Sequence, residues 1–352
     1  FSSIFFIIIC SSILCLLLMV LNDRFSFYIL LQQKHYYLLF IYSFASTIFS
    51  IFLCANQGQK KVIRYSLVSI LKVTFDLLFL LSLLRFSLID SETRLLSLIV
   101  SNITICFISL FYLFKDFYKG FDFRKELKET FLFLSKALPN TIVVASILVI
   151  DKIIIGNKST SLLGELTFLT AVASPILFFC EALNKASLPY SFEYLKSSKY
   201  LYYDKMNIKN LYLLVFVSII YYFSIKITAH FLFSENYLYI INYLSIFMFI
   251  PFFKLLYYSF ARVFTFNESL QKLLYINLPI GFIYIYVIQL NNELSLLEVI
   301  NYILLYQFLL ATFVFLYSRK YFKSYFFRIS IHRDVFADLK NSFTKTLKVI
   351  YR

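Results

Sequence analysis

The sequence predicts an all-α polytopic membrane protein. Three observations carry this. The 352-residue chain is 61% hydrophobic and only 15% charged. Apolar runs of about 20 residues recur along it, the length an α-helix needs to cross a bilayer, and the short alternating segments of a membrane barrel do not appear. Lys and Arg collect in alternate connections between the runs, as they do beside membrane-spanning helices.

Taken in order, the apolar runs give ten spans: roughly 1–21, 37–55, 66–84, 95–114, 129–150, 162–188, 210–233, 238–260, 273–290 and 296–318. The connections are short, and no soluble domain fits between any two spans. The run Phe1–Leu21 lacks the basic leader and small-residue cleavage site of a signal peptide. With no Met at residue 1, the start of the protein is expected to lie upstream. The segment 115–128, KDFYKGFDFRKELK, is the most charged interior connection and marks a boundary between two helical bundles. The expected organisation is an N-terminal lobe over 1–114, a linker over 115–128, a C-terminal lobe over 129–318 and a basic tail over 319–352.

Charge sets the orientation. One set of alternate connections, together with the tail, holds twenty-three of the thirty-four Lys and Arg residues, among them Lys60, Lys61, Lys196, Lys205, Arg262 and Lys272. The other set holds six: Arg24, Lys34, Arg85, Arg94, Lys152 and Lys158. The first set, and with it the C-terminus, is assigned to the cytoplasm. The net charge of +15 is thus mostly topology and a means of meeting anionic lipid. The tail after Ser318 mixes apolar and basic residues, which predicts an amphipathic helix along the membrane surface. No nucleic-acid-binding module is recognisable.

Much familiar chemistry is missing. The five cysteines, Cys10, Cys15, Cys54, Cys106 and Cys180, fall in apolar runs with no zinc or disulfide spacing and are expected to be small packing residues. Five glycines leave little for phosphate-cradling loops, and Gly156-Asn157-Lys158-Ser159-Thr160 lacks the upstream Gly of a P-loop. His35, His230 and His332 stand isolated, and no nucleophile elbow occurs. Neither an enzyme, a metal nor a cofactor is expected.

What remains is a set of polar residues inside the spans. A charged group at mid-bilayer costs roughly 2.5–3.5 kcal/mol on insertion scales, so it usually faces a cavity or a partner. At 100° per residue, Ser69, Lys72 and Asp76 share one face of the third span. Lys136, Asn140 and Asp151 share a face of the fifth, where Pro139 is a candidate bend. Thr167, Thr170, Ser174, Glu181 and Lys185 form a stripe on the sixth, with Glu181 and Lys185 in the favoured order for an i, i+4 pair. Lys226 and Lys254 add basic groups in spans seven and eight. The bland reading of each lysine is snorkelling to the interface or local pairing. Asp76 lies closest to a span centre and cannot easily reach water. Three aligned polar faces predict a shared wet cavity.

Three stretches in the middle of the chain, with two more beside them, carry a resemblance to a known family. They are Ala137-Leu138-Pro139, then Asp151-Lys152-Ile153-Ile154-Ile155-Gly156, then Leu163-Gly164-Glu165-Leu166. In order, they resemble the middle of Wzx-type O-antigen and capsule flippases, the polysaccharide-transporter branch of the MATE-like superfamily. Ala182-Leu183-Asn184-Lys185-Ala186-Ser187-Leu188-Pro189-Tyr190 resembles the end of the helix that follows. Ala55-Asn56-Gln57-Gly58-Gln59-Lys60-Lys61 with Tyr65-Ser66 resembles the connection after the family's fourth helix. The matches cover about a third of the chain, and their order is a stronger signal than any one of them. Lys152 stands where Arg is usual, and Glu165-Leu166 where Ile-Tyr is usual.

The resemblance implies twelve spans, the first two lying upstream of Phe1, in two lobes around a central cavity that works by alternating access. It implies a lipid-linked oligosaccharide cargo, a repeat unit on undecaprenyl diphosphate, crossing the bacterial inner membrane for O-antigen or capsule synthesis. It also implies other polysaccharide-assembly proteins as partners. Basic groups in the cavity suit a diphosphate, and the candidates are Lys72, Lys136, Lys185, Lys226 and Lys254. Asp76, Asp151 and Glu181 are candidates for balancing charge or coupling to H⁺ or Na⁺. Two other readings stand beside this one. A small-molecule or multidrug exporter of the same superfamily would want carboxylates and few lysines in its cavity. An O-antigen polymerase would want a large Arg-bearing outer loop, whereas the outer connections here are short.

Overall fold

In a computed structural model the chain is described over residues 33–339, apart from 60, 85–90, 118–122, 234, 268, 292, 322–325, 327 and 329. The described residues form helices and short turns, and no strand occurs among them. The helices are α1 (Gln33–Gly58), α2 (Val62–Leu84), α3 (Ser91–Phe117), α4 (Phe123–Lys158), α5 (Thr160–Lys196) and α6 (Tyr200–Leu232). They continue as α7 (Glu235–Ile241), α8 (Leu244–Phe247), α9 (Phe249–Phe266), α10 (Gln271–Leu290) and α11 (Leu296–Ser318). A last helix, α12, covers 330–339.

Among the described residues, seven segments are long and apolar enough to cross a membrane: Leu96–Leu113, Ser135–Lys158, Thr160–Lys196, Tyr200–Phe231, Tyr237–Phe266, Gln271–Leu290 and Leu296–Ser318. A shorter apolar helix covers Ile41–Asn56. The chain is a multi-span, all-α membrane protein. The expected span 1–21, with Cys10 and Cys15, lies outside the described residues.

Several expected boundaries shift. α4 does not stop at 150 but runs on to Lys158, so Asp151 lies inside the helix. At 36 residues, α4 is about 54 Å long, well beyond a hydrocarbon core of about 30 Å. Pro139 sits within it without ending it. α5 and α6 likewise overrun, with 37 and 33 residues. The span expected at 238–260 is broken into α7, α8 and α9 by turns at Asn242-Tyr243 and Met248. Pro251 explains the last restart: it has no N–H to continue a helix from upstream, and it is tolerated in the first turn of α9.

The chain divides into two compact units, Phe1–Leu132 and Phe133–Arg352. In the first, α3 packs against α1 and α2. Phe52 and Ile105 are fully buried at its centre with Phe49, Leu53 and Val68 around them. Ser97, Ser101, Asn102 and Ser109 of α3 are buried too. Small side chains such as Ser let membrane helices approach closely. Asn102 spends an amide hydrogen on Leu98 O at 2.7 Å, a local way to satisfy a polar group away from water. Among the cysteines, Cys106 and Cys180 are buried as expected, but Cys54 is on an exposed face.

In the second unit, α9 is central and packs on α11, α5 and α6, while α10 packs on α11. α6 buries one side and presents Phe216, Ile219, Ile220, Phe223, Ile227 and Phe231 outward. A helix that is apolar all round in sequence is the expected result when protein covers one side and lipid the other. The tail departs from its surface-lying expectation. α12 turns Ile331 and Val335, each 3% exposed, into the core of the unit. It is pinned by a hydrogen bond between Tyr212 Oη and His332 Nδ1 at 2.9 Å and by the Lys205–Asp334 ion pair, also 2.9 Å.

Two local features set helix ends. α5 ends in a Schellman turn: Lys199 N–H donates to Tyr194 O at 2.9 Å and Ser198 N–H to Leu195 O at 3.2 Å. Ser198 holds the left-handed position, φ 55°, where glycine has no steric penalty. At the other end of the helix, Ser159 caps α5, its Oγ accepting from Leu162 N–H at 3.2 Å. The Lys158-Ser159-Thr160 run that looked like the end of a P-loop is therefore a helix stop followed by a helix start.

Two stability outcomes follow. Ser198→Gly is expected to stabilise the protein by about 1 kcal/mol, read as a raised thermal midpoint in detergent. Gly281 of α10 lies against α4, and a Cβ there would fall on Ile147 Cδ1. Gly281→Ala is expected to cost about 1–3 kcal/mol by overpacking. Ile147→Ala in the same chain should recover part of that loss, and a double mutant no better than Gly281→Ala would refute the contact.

Candidate functional site

The second unit holds a cavity of about 690 Å³ lined by α4, α5, α8, α9 and α11. α4 supplies Asp151 and Lys152, and α5 supplies Thr167, Thr170, Ser174 and Glu181. α9 supplies Lys254, Tyr257 and Tyr258, and α11 supplies Tyr306 and Gln307. Leu and Ile side chains fill most of the remaining wall. A mostly apolar pocket with a few converging polar groups is the general form of a small-molecule site.

The stripe on α5 explains half of this wall. Thr167, Thr170, Ser174 and Glu181 fall on one helical face, as their spacing requires, and that face meets the cavity. Thr167 and Thr170 return their hydroxyl hydrogens to Leu163 O and Leu166 O, at 2.7 and 2.8 Å, leaving oxygen lone pairs for a ligand. Glu181 does not pair with Lys185. Its Oε1 accepts from Lys254 Nζ of α9 at 3.0 Å, and Lys254 also stands 5.7 Å from the ring of Tyr258. The interhelical partner wins because both groups open on the same cavity, whereas Lys185 is exposed and is not part of its wall.

α4 meets α10 along a polar seam, and this accounts for the charged residues of an otherwise lipid-compatible helix. Asn277 Nδ2 donates to Asn140 Oδ1 at 2.7 Å and to Tyr257 Oη at 2.9 Å. Ile147 rests on Gly281. Tyr284 Oη donates to Asp151 Oδ2 at 3.1 Å, and Lys152 N–H to Asp151 Oδ1 at 2.6 Å. Finally, Lys158 Nζ donates to Ile288 O, Gln289 O and Asn291 O at 2.7, 2.8 and 2.5 Å. These are the free carbonyls at the C-terminal end of α10, where a cation also meets the negative end of the helix dipole. Asp151 is thus 7% exposed yet doubly hydrogen-bonded, and Tyr284 stacks on Tyr306 of the cavity wall at 4.7 Å.

Of the sequence-predicted residues, the cavity brings together Asp151, Glu181 and Lys254. Lys136, Lys185 and Lys226 lie elsewhere in the second unit, Lys226 with its Nζ 5.9 Å from the Tyr222 ring. Lys72 and Asp76 belong to the first unit. There Lys72 Nζ lies 4.7 Å from the Phe49 ring, and Ser97 Oγ donates to Asp76 Oδ1 at 3.4 Å. The expected excess of lysine is not what lines this cavity. Its ionisable wall has two acids, Asp151 and Glu181, against two bases, Lys152 and Lys254. Among the described residues, no three His, Cys, Asp or Glu side chains group as metal ligands.

Sequence reasoning missed the aromatic half of the wall and a buried arginine. Tyr257, Tyr258 and Tyr306 were lost among twenty-nine tyrosines. Arg262 was assigned to a loop because its span was ended at 260, but α9 runs to Phe266 and Arg262 is 4% exposed. Its guanidinium donates to Ser191 Oγ, to Asn184 Oδ1 and, at 3.0 Å, to Asn184 O, tying α9 to α5. The signal was present in Asn184 and Ser191, seven residues apart and so on one face of α5. Arg262→Ala removes charge-assisted bonds worth about 1.5–3 kcal/mol each. It is expected to lower the thermal midpoint sharply, and an unchanged midpoint would show that the contact is not structural.

Fold and cavity together define a multi-span helical membrane protein of a generally transport-like architecture. Compared with known proteins, the chain is 30% identical over 171 residues to "Lsg locus putative protein 1" of Haemophilus influenzae, a match covering 46% of this chain and 43% of that relative. The chain thus spans less than half the length of the curated relative it matches. No protein-family profile matches it, and no solved structure matches it significantly.

Proposed function

We propose that the chain is a flippase that moves undecaprenyl-diphosphate-linked oligosaccharide repeat units across a bacterial inner membrane by alternating access. On this reading it is a multi-pass protein with a cytoplasmic C-terminus. It serves O-antigen or capsule synthesis alongside other polysaccharide-assembly proteins, and it is a transporter rather than an enzyme. The observation that carries the reading is the Glu181–Lys254 pair, 3.0 Å apart and facing a cavity walled by Tyr257, Tyr258, Tyr306 and Gln307. Hydroxyls and an amide on apolar walls suit a sugar, which offers both polar edges and apolar faces. A cation already matched to a carboxylate suits an anionic headgroup that arrives and leaves. Lys254 exchanges Glu181 for the diphosphate, and Glu181 takes up H⁺ or Na⁺ while unpaired, so no charge stays uncompensated in a low-dielectric site.

The balanced cavity also favours a second reading, a small-molecule exporter of the same superfamily, because Asp151 and Glu181 supply the carboxylates such a site wants. The two separate in one experiment. The protein, produced in full and reconstituted in vesicles, is given fluorescent lipid-linked oligosaccharide on one leaflet, and its appearance on the other is timed. Lys254→Ala is expected to cut the rate on the order of tenfold or more, as truncating one partner of a hydrogen-bonded charge pair does, while Lys254→Arg keeps most of it. Translocation that is absent in wild type, with uptake of small cations instead, would favour the exporter. A wild-type rate in Lys254→Ala would reject the role given to the pair.

A further inference from the structure

The apolar run Tyr237–Phe266 is long enough for a single helix, yet it is built as α7, α8 and α9. The first joint is a tight turn: Asn242 N–H donates to Tyr239 O at 3.2 Å and Tyr243 N–H to Ile240 O at 3.0 Å. The second joint is Met248, whose N–H donates to Leu244 O at 3.0 Å. Met248 itself holds helical angles, φ −63° and ψ −15°. What keeps α8 from continuing into α9 is Pro251, which has no N–H to give to Phe247 O.

This second joint lies between two hollows. Phe247 and Ile250 line the polar cavity of about 690 Å³. Ser245, Met248, Phe249 and Phe252 line a separate apolar cavity of about 440 Å³. Packed helices resist displacement because protein interiors are filled. Here there is open volume on both sides of the joint.

The two halves of α9 are held differently. In the second half, Ser259 O accepts from Tyr203 Oη, Phe260 meets the rings of Phe315 and Phe326, and Arg262 bonds to Asn184 and Ser191. At its start, two neighbouring residues of α5 hold it. Cys180 Sγ–H donates to Pro251 O at 3.3 Å, and Glu181 accepts from Lys254 at 3.0 Å. Phe253 adds an edge contact to Phe308. A thiol is a weak donor, so the ion pair is the stronger of the two polar ties. It is also the one that opens on the polar cavity.

We propose that the joint over 248–251 is a hinge latched by the Glu181–Lys254 pair. When an anion takes Lys254 from Glu181, the first turn of α9 swings about Met248 while the half from Ser259 onward stays in place. Positions at the ends of elements are where hinges absorb changes in backbone angle. Tighter binding of the anion to the unlatched form supplies the free energy for the swing. The inference rests on the flippase reading for the identity of that anion, the cargo's diphosphate, and adds what its arrival moves: the wall between the two cavities.

Substitution of Pro251 separates a hinge from a scaffold. Pro251→Ala restores an N–H in a good helix former and joins α8 to α9. In reconstituted vesicles it is expected to slow translocation of lipid-linked oligosaccharide about tenfold, while the thermal midpoint in detergent rises. Pro251→Gly restores the N–H but keeps the joint loose, so it should have the lower midpoint and the faster rate of the two variants. Gly slower than Ala, or both at the wild-type rate, would overturn the proposal. Amide exchange tests the latch with no cargo present. In the full chain in detergent, Lys254→Ala is expected to speed exchange over 244–258 about tenfold relative to wild type and to leave 259–266 unchanged. Equal exchange in the two proteins, or a rise that spreads through 259–266, sinks the latch and leaves the flippase reading standing. A rise confined to 244–258, with a wild type that moves no oligosaccharide, keeps the latched hinge and sinks the transport reading.

Discussion

A carboxylate at membrane depth organises the second unit. Asp151 stands where a bare charge would be costly, and Tyr284 Oη and the Lys152 N–H make its position tolerable. That one requirement fixes α10 beside α4 and sets Tyr284 against Tyr306, which forms part of the cavity wall. The same seam is held at one end by the Asn140–Asn277 bond and at the other by Lys158 on the last carbonyls of α10. Backbone groups of a spanning helix satisfy one another, so only side chains can specify which helix sits next to which. Here the specification is polar at three points and steric at Gly281.

The cavity is built on the same logic with a different purpose. Asp151 is satisfied and nearly closed off. Glu181 and Lys254 are partly open, at 38% and 28% side-chain exposure, and bonded to one another across α5 and α9, with Tyr258 beside Lys254. A pair that can be reached can be exchanged, whereas a sealed pair is structural. Arg262, sealed behind Asn184 and Ser191, is the contrasting case in the same two helices. The distinction between the two cations is one of access, and access is a property of the packing.

This bears on how much of the site was legible. The polar stripe of α5 was legible because Thr167, Thr170, Ser174 and Glu181 repeat at helical spacing, and a periodic signal survives without any neighbour. So was the shared face of Asn140 and Asp151. The partner of Glu181 was not, because the nearest cation in sequence, Lys185, and the nearest in space, Lys254, are different residues. That Lys136, Lys185 and Lys226 fall outside this cavity was hidden for a related reason: a basic residue near a span end looks alike whether it faces a cavity, an aromatic ring or the interface. Arg262 was lost to a boundary drawn six residues early, since a charge was taken as the end of a span when it was in fact a buried tie.

By itself the sequence determined the all-helical, multi-span class and the rough order of the spans. Hydrophobicity, helical period and capping residues act locally and can be read one segment at a time. Only the tertiary structure decided which helices meet, that the tail docks through Ile331 and Val335 and that the cavity is charge-balanced. It also decided that the joint between α8 and α9 lies between two cavities. Each of these depends on side chains distant in sequence arriving at one place, and the identity of a distant partner leaves no mark on the local pattern.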